Sequence, residues 1–230
     1  MRVLLSLSGG MDSGTLLCYF CNQNYTRVSA ISFMYGSKHN PFEIQMAEKL
    51  AKHFGVEWNI IDLTLPFMQI KSNLMATGGE IPEGHYNDES MTKTVVPGRN
   101  HIFAAVLAGI AESKGMDAIA LAVHSGDHHI YPDCRPNFIE ALTRSIRLQS
   151  EKKVDVLTPF KNLDKEGILK VGMSFRMPYE LTRTCYKPQK LSCGKCGSCR
   201  ERLEAWEKIG QSDPIEYEFA SIGQHMGETT

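Results

Sequence analysis

The chain has 230 residues, enough to bury a substantial core in one large domain or in one domain with an appendage. Its 25 basic and 26 acidic residues leave a formal charge of −1, so no global field draws it to nucleic acid or to an anionic membrane. The longest apolar stretches, such as Phe103 to Ile110, fall far short of a membrane span; no membrane partner and no direct nucleic-acid partner is expected. An apolar run begins at Val3, which leaves no room for a signal peptide. Seven cysteines, four of them crowded into a short C-terminal stretch, favour metal ligation in a reducing cytoplasm over a disulfide framework.

In chain order, Val3 to Leu7 reads as a buried strand and Gly14 to Asn22 as the helix that follows. Between them lies Ser8-Gly9-Gly10-Met11-Asp12-Ser13, a turn of small and polar residues whose glycines let backbone approach a ligand. A strand, a glycine turn and a helix N-terminus aim unpaired N–H groups at one point, where the helix dipole adds about half a positive charge. That is an anion site, best suited to phosphates. It lacks the lysine of G-x-x-x-x-G-K-[ST] and the spacing of G-x-G-x-x-G, so it is neither a Walker loop nor a dinucleotide fingerprint.

Val28 to Phe33 is a second strand, and Asn40-Pro41 opens a helix that runs to about Phe54 and stops at Gly55. Val56 to Asp62 is the third strand. This alternation predicts an α/β fold, a doubly wound parallel sheet with ligands beyond the carboxyl ends of its strands. Tyr35, Lys38 and His39 fall at that edge, beside the phosphate turn. Thr77 to Pro97 has no period and reads as a lid or substrate loop.

Gly98-Arg99-Asn100 leads into an apolar helix over His101 to Ala111, and Met116 to Val123 is the next strand. His124 to Arg135 is a dense polar stretch, again at a strand's carboxyl end. His124, His128 and His129 stand near Asp127 and Asp133, but no helix is predicted to hold His124 and His128 on one face. A substrate-binding or structural role is therefore favoured over a metal site. Pro136 to Gln149 is an amphipathic helix, Val154 to Leu157 a short strand, and Lys161 to Gly172 a helix with Asn162 or Asp164 as its cap. Beyond Pro178 the alternation ends, which suggests residues 1–180 as a nucleotide-binding α/β domain and 181–230 as a small metal-binding region.

Cys185, Cys193, Cys196 and Cys199 form C-x7-C-x2-C-x2-C, with Gly194 and Gly197 permitting the bends. Four thiolates make a tetrahedral all-sulfur site that selects zinc or iron–sulfur, with zinc preferred as a closed, structural ion. Lys187, Lys190, Lys195, Arg200 and Arg202 offset part of its negative charge. Cys18 and Cys21 share the x2 spacing but sit among Leu16, Leu17 and Phe20, as core residues do.

The turn Ser8 to Ser13 resembles the pyrophosphate loop of the N-type ATP pyrophosphatases. With Tyr35-Gly36, Lys38-His39, Val96-Pro97-Gly98-Arg99-Asn100, Asp127, Tyr131-Pro132-Asp133-Cys134-Arg135-Pro136 and the four cysteines in this order, the chain resembles the 7-cyano-7-deazaguanine synthase family over nearly its whole length. The departures are Gly14 where Ser or Thr is usual, Lys38 where Arg is common, Thr184 before Cys185, and a slightly short gap to Cys193.

The resemblance implies a Rossmann-like domain of the adenine nucleotide alpha hydrolase type. It implies a cytoplasmic homodimer that converts 7-carboxy-7-deazaguanine and ammonia, with ATP, into a nitrile through an acyl adenylate and an amide. ATP would be bound by Leu7, Ser8, Gly9, Gly10, Met11, Asp12, Ser13, Gly14, Thr15 and Lys38, with magnesium carried in on the nucleotide. Asp12, Lys165 and Arg99 would be catalytic; Lys165 is preferred because the family has a lysine after this late strand. Tyr35, His39, Arg99, Asn100, Asp127, Tyr131, Asp133 and Arg135 would bind the acceptor, with Asp133 or Asp127 accepting from the guanine-like edge and Tyr131 or Tyr35 stacking on the ring. Cys185, Cys193, Cys196 and Cys199 would hold a structural zinc ion, and Cys134 would pack or touch substrate without acting as a nucleophile. The alternatives are a pyrophosphatase of the same type that stops at the amide or thiolates tRNA, and a non-catalytic zinc module that binds nucleic acid.

Overall fold

The computed structural model describes residues 1–86, 88–149 and 151–219; the end of the expected metal-binding region, 220–230, lies outside the described residues. Five strands, β1 (Arg2–Ser6), β2 (Arg27–Met34), β3 (Glu57–Asp62), β4 (Ala118–Ala120) and β5 (Asp155–Leu157), pair in parallel in the order β3-β2-β1-β4-β5. The order reverses between β1 and β4, and a cleft opens beyond their carboxyl ends, as at other switch points of doubly wound sheets.

The helices in chain order are α1 (Met11–Cys21), α2 (Asn40–Phe54), the single turn α3 (Thr64–Phe67), α4 (Arg99–Ser113), α5 (Pro136–Leu148), α6 (Lys165–Ser174) and α7 (Gly197–Lys208). Strand residues alternate between two cores because successive side chains point to opposite faces. Leu4, Ile31, Phe33 and Ile119 join one core with Leu107 of α4 and Leu142 of α5. Val3, Leu5, Ala30, Ala118 and Ala120 join the other with Leu16 of α1, Leu50 of α2 and Leu169 of α6. Each fully buried leucine contributes about 1.5–3 kcal/mol, so the two cores fix the sheet edge that carries the cleft.

Several element boundaries differ from the sequence reading. Helix α1 begins at Met11 rather than Gly14, because Gly10 is its extended N-cap and Asp12 lies in its first turn. Strand β4 covers three residues rather than 116–123, since β5 offers no longer partner. Helix α6 starts at Lys165, where the Asp164 side chain accepts from the Gly167 N–H at 2.8 Å; Asp164, and not Asn162, is the cap. The 77–97 segment holds a 3₁₀ turn over Glu89–Thr94 and leans on the cysteine segment, with the Gly84 N–H donating to the Lys195 carbonyl at 3.1 Å.

Helix α7 was not anticipated, and it welds the cysteine region to the α/β body. Ala205 and Trp206 enter the second core, while the four cysteines enter the first. Arg202, fully buried, pairs with Asp213 at 2.6 Å and donates to Thr182 Oγ1 at 2.7 Å, so the buried charge is compensated on every side. Cys18 packs in the second core and its thiol faces the Phe175 carbonyl at 3.7 Å, as expected of a core residue. Among the described residues no helix is long and apolar enough to cross a membrane.

Candidate active site

The phosphate turn forms one wall of a cleft of about 190 Å³. No side chain caps α1, so the first N–H groups of that helix are left for a ligand. Ser13 organises the turn: its hydroxyl accepts from the Ser8 N–H at 3.1 Å and lies 2.9 Å from Ser8 Oγ. Gly9 adopts φ +85° and lies against the backbone of α2; a Cβ there would come within 2.3 Å of the Glu43 carbonyl oxygen. Leu7 and Met11 are buried and contribute to the turn through backbone.

The floor of the cleft is an acidic cluster around one ammonium. Lys165 Nζ lies 2.7 Å from Asp12 Oδ2, 3.1 Å from Glu201 Oε2 and 3.3 Å from His124 Nε2. Burial opposes its charge, but Asp12, Glu201 and Asp127 outweigh burial and raise its pKa, so Lys165 is a fixed cation and not a base. Burial likewise opposes ionisation of Asp127, yet His124, Lys165 and the Tyr86 hydroxyl hold its carboxyl below the ordinary range. Tyr86 donates to Asp127 Oδ1 at 2.6 Å. Asp12 Oδ1 is buried without a hydrogen-bond partner, which leaves one carboxylate oxygen open to a cation or a ligand donor.

The opposite wall combines aromatics with Arg99. Tyr35, Tyr86, Tyr131, Tyr186, Phe33 and Phe103 line it. Among the described residues no carboxylate lies within ion-pair distance of Arg99; burial opposes its charge, Tyr35 and Asp133 stabilise it, and its guanidinium faces the cleft. His39 lies 3.3 Å from the Tyr35 hydroxyl and 3.5 Å from Glu43 Oε2. Burial pushes the Glu43 carboxyl up to about 8, against the pull of Arg99 and Arg183; burial, reinforced by Arg99 and Arg183, pulls His39 down to about 3. Both are neutral near pH 7, and their approach is a contact of neutral groups rather than an ion pair.

Of the residues expected to bind nucleotide or acceptor, Leu7, Ser8, Gly10, Met11, Asp12, Ser13, Tyr35, His39, Arg99, Asn100, Asp127, Tyr131 and Lys165 line the cleft together. Others stand apart. Lys38 turns into a neighbouring groove, where its ammonium is held by the carbonyls of Asn73, Gly78 and Gly79. Asp133 accepts from the Asn100 N–H at 3.1 Å and serves the start of α4. Arg135 is exposed and donates to the His128 carbonyl at 2.9 Å. Thr15 is buried in α1, donating to the Met11 carbonyl, and Gly14 packs against Met177 and Leu50 rather than the cleft.

The four cysteines are buried with their sulfurs within 4.8 Å of one another. Four thiolates about 2.3 Å from one ion would stand roughly 3.8 Å apart, so the set needs only a small contraction to fit it. Backbone N–H groups already point at the sulfurs: those of Lys187 and Cys193 reach Cys185 Sγ at 3.4 and 3.3 Å, and those of Lys195 and Cys196 reach Cys193 Sγ at 3.4 and 3.3 Å. Such donors favour thiolates, and no oxygen or nitrogen ligand competes in the set. The residues fit a tetrahedral metal ion.

The profile of the family described as queuosine biosynthesis protein QueC matches residues 2–210. This chain belongs to that family. Relatives named 7-cyano-7-deazaguanine synthase include the protein of Caldicellulosiruptor saccharolyticus, 44% identical over 219 residues, 95% of this chain and 96% of that one. Those of Porphyromonas gingivalis (44% over 215 residues; 94% and 96% covered) and Methanoregula boonei (42% over 218 residues; 95% and 100%) are as similar. Among solved structures, NMN synthetase from Francisella tularensis superposes with a TM-score of 0.52 at 11% identity, covering 92% of this chain and 78% of that one. A predicted subunit of tRNA methyltransferase from Methanocaldococcus jannaschii gives 0.50 at 16% identity, covering 97% and 95%. At these identities the likeness shows the fold alone.

Glu43, Tyr86, Arg183 and Tyr186, which line the cleft of this QueC-family chain, and Glu201, which reaches Lys165, were not singled out from sequence. Glu43 stands four residues after His39, one helical turn along, which was a usable signal. Glu201 and Arg183 flank the cysteine run, where the charges singled out were Lys187, Lys190, Lys195, Arg200 and Arg202. His124, grouped with His128 and His129, alone of the three reaches the Lys165 cluster.

Proposed function

We propose that this chain is an ATP-dependent ligase that converts 7-carboxy-7-deazaguanine and ammonia into 7-cyano-7-deazaguanine for queuosine biosynthesis. Family membership and relatives of that name support the overall reaction. The observation that carries the mechanism is one cleft with two complementary walls: an uncapped helix N-terminus beside Asp12 and Lys165, and an aromatic wall with Arg99.

On this reading the triphosphate lies on the Ser8–Ser13 turn and the acceptor lies among Tyr86, Tyr131 and Tyr186. Arg99 attracts the acceptor carboxylate, one oxygen of which attacks the α-phosphorus while pyrophosphate leaves toward the helix N-terminus. Ammonia then attacks the acyl carbon and AMP departs with that oxygen, leaving an amide. A second adenylation, on the amide oxygen, lets it leave as AMP and forms the nitrile. Asp127 is the carboxylate suited to accept from the heterocycle's N–H edge, because Asp133 is engaged at the start of α4. The orphaned Asp12 Oδ1 would offer a hard oxygen ligand to magnesium carried in on ATP. Zinc is the ion proposed for the four cysteines, where it would brace the fold.

Residues 1–180 then hold the nucleotide and 181–230 the metal, although both contribute to the cleft. Met34, Ile60, Leu65 and Met68 are exposed on β2, β3, α3 and just after α3, and are the proposed face of a homodimer in the cytoplasm. Sulfur transfer is disfavoured because Cys134, the cysteine in the cleft, has its thiol pKa raised by burial and by Asp127 and Asp133. The test is mass spectrometry of products from carboxydeazaguanine, ATP and ammonium. Nitrile with AMP and pyrophosphate is expected; ADP as by-product, or thiolated tRNA from a sulfur donor, would overturn the proposal.

A further inference from the structure

Arg183 borders the cleft next to the phosphate turn, yet both terminal nitrogens of its guanidinium are engaged elsewhere and only its buried Nε lacks a partner. Nη1 donates to the Lys190 carbonyl at 2.9 Å, and Nη2 to the Lys187 carbonyl at 3.0 Å and to the Gln189 carbonyl. The group lies 4.7 Å from the centre of the Phe42 ring, and the residue is 6% exposed. The two terminal nitrogens of Arg183 are therefore committed to main-chain carbonyls rather than to the cleft. All three acceptors belong to the loop between Cys185 and Cys193, whose shape depends on the cysteine site through the Lys187 and Cys193 N–H groups that reach Cys185 Sγ. The main chain of the same residue grips the phosphate turn, with the Arg183 N–H donating to the Gly9 carbonyl at 2.9 Å. One residue thus holds the metal loop with its side chain and the phosphate turn with its backbone.

We propose that Arg183 is a positioning residue that couples metal occupancy of the four-cysteine site to the nucleotide affinity of the Ser8–Ser13 turn. The inference rests on the reading of that turn as a nucleotide site. With metal bound, Cys185 is fixed, the carbonyls at 187–190 are held in register for the guanidinium fork, and Gly9 is pinned. Without metal the loop carbonyls disperse, the fork loses its partners and the turn loses its restraint. Linkage is reciprocal at equilibrium: nucleotide must tighten metal by the factor by which metal tightens nucleotide, about 5- to 150-fold for typical coupled sites.

The test measures the apparent Zn²⁺ affinity of the full chain by equilibrium competition with a chromophoric chelator. It is run with and without α,β-methylene-ATP, which cannot be cleaved between its α and β phosphates. In the wild type the analogue should tighten Zn²⁺ about tenfold. Arg183→Lys keeps the charge and a stem over Phe42 but cannot fork to three carbonyls, so its ratio should fall to near one while Zn²⁺ still binds. Arg183→Ala should behave likewise if folded; the lysine variant decides the matter if it is not. An analogue that binds the wild type by calorimetry without changing Zn²⁺ affinity overturns the coupling and leaves the proposed function standing. Equal tightening in the wild type and Arg183→Lys removes Arg183 from it. An analogue that does not bind at all removes the nucleotide reading and this inference with it.

Discussion

Replacing Gly9 by alanine should damage the phosphate turn more than any change of similar size nearby. Gly9 lies at φ +85°, where an L side chain is strained by about 1–2 kcal/mol. A Cβ would also sit 2.3 Å from the Glu43 carbonyl oxygen and 2.7 Å from the Ala47 nitrogen. Both are backbone atoms of α2, so the helix itself must retreat, at an overpacking cost of about 1–3 kcal/mol. The sum, about 2–5 kcal/mol, corresponds to a fall in Tm of the order of 10 °C for a chain of this size. Because Gly9 also accepts from Arg183, the KM for ATP should rise as well. Gly10→Ala is the control: its backbone has φ −78°, and its nearest neighbours are Ser8 Oγ at 3.2 Å and the Arg183 oxygen at 3.5 Å. It should retain stability within about 1 kcal/mol. Calorimetry and initial rates at varied ATP report both effects. A Gly9→Ala protein with wild-type Tm and wild-type KM would refute the close-packing argument.

Three further outcomes are expected. Asp12→Asn should lower kcat about 10²- to 10³-fold and also lower Tm, since it takes one counter-charge from buried Lys165; unchanged turnover would take Asp12 out of the mechanism. Cys196→Ser should reduce zinc content by atomic absorption and lower Tm, whereas a metal-free variant that melts like the wild type would rule out a stabilising ion. Glu43 binds its proton more tightly folded, at about 8, than unfolded, near 4.5, so it lowers stability as pH rises through that window. His39, pulled down to about 3, acts in the opposite sense between about 3 and 6.5. Glu43→Gln should therefore gain Tm relative to the wild type between pH 6 and 8.5, and a difference that stays flat with pH would contradict the buried neutral carboxyl.

The fold was legible because strand and helix patterns alternate from Val3 to about Gly172 on both sides of the aperiodic 77–97 loop. Both cores then follow from period-two strands buried on each face. The turn at Ser8–Gly10 was legible for a similar reason: it is local, carried by consecutive residues between a strand and a helix. What sequence could not show is which polar side chains turn inward. Asp133 and Asp127 look equivalent in the chain, yet one serves the start of α4 and the other faces His124 in the cleft. Lys38 has the charge a phosphate wants, but three carbonyls of the 73–79 loop claim it. Glu201 reaches Lys165 across 35 intervening positions, through a helix that its charged composition concealed. Long-range pairing of this kind leaves no periodic trace.

The proposed reaction also changes the acceptor's charge midway, and that limits what can hold it. The carboxylate enters with one negative charge, whereas the amide and the nitrile are neutral. An ion pair at 4 Å near a protein surface is worth about 4 kcal/mol at an effective dielectric of 20, and Arg99 loses that attraction once the amide forms. A site relying on charge would release the amide before its second adenylation. Stacking and edge hydrogen bonds do not depend on the carboxyl group, and aromatic contacts contribute about 0.5–1.5 kcal/mol each beyond buried area. Tyr186, whose hydroxyl lies 3.4 Å from that of Tyr131, and Tyr86, whose ring centre lies 6.1 Å from that of Tyr131, make a wall suited to this task. Tyr186→Leu should therefore raise the fraction of amide among released products, while Arg99→Lys should raise KM for the carboxylate with the amide fraction unchanged. Liquid chromatography with mass detection separates the two products, and an amide fraction that follows Arg99 rather than Tyr186 would show that charge, not the aromatic wall, retains the intermediate.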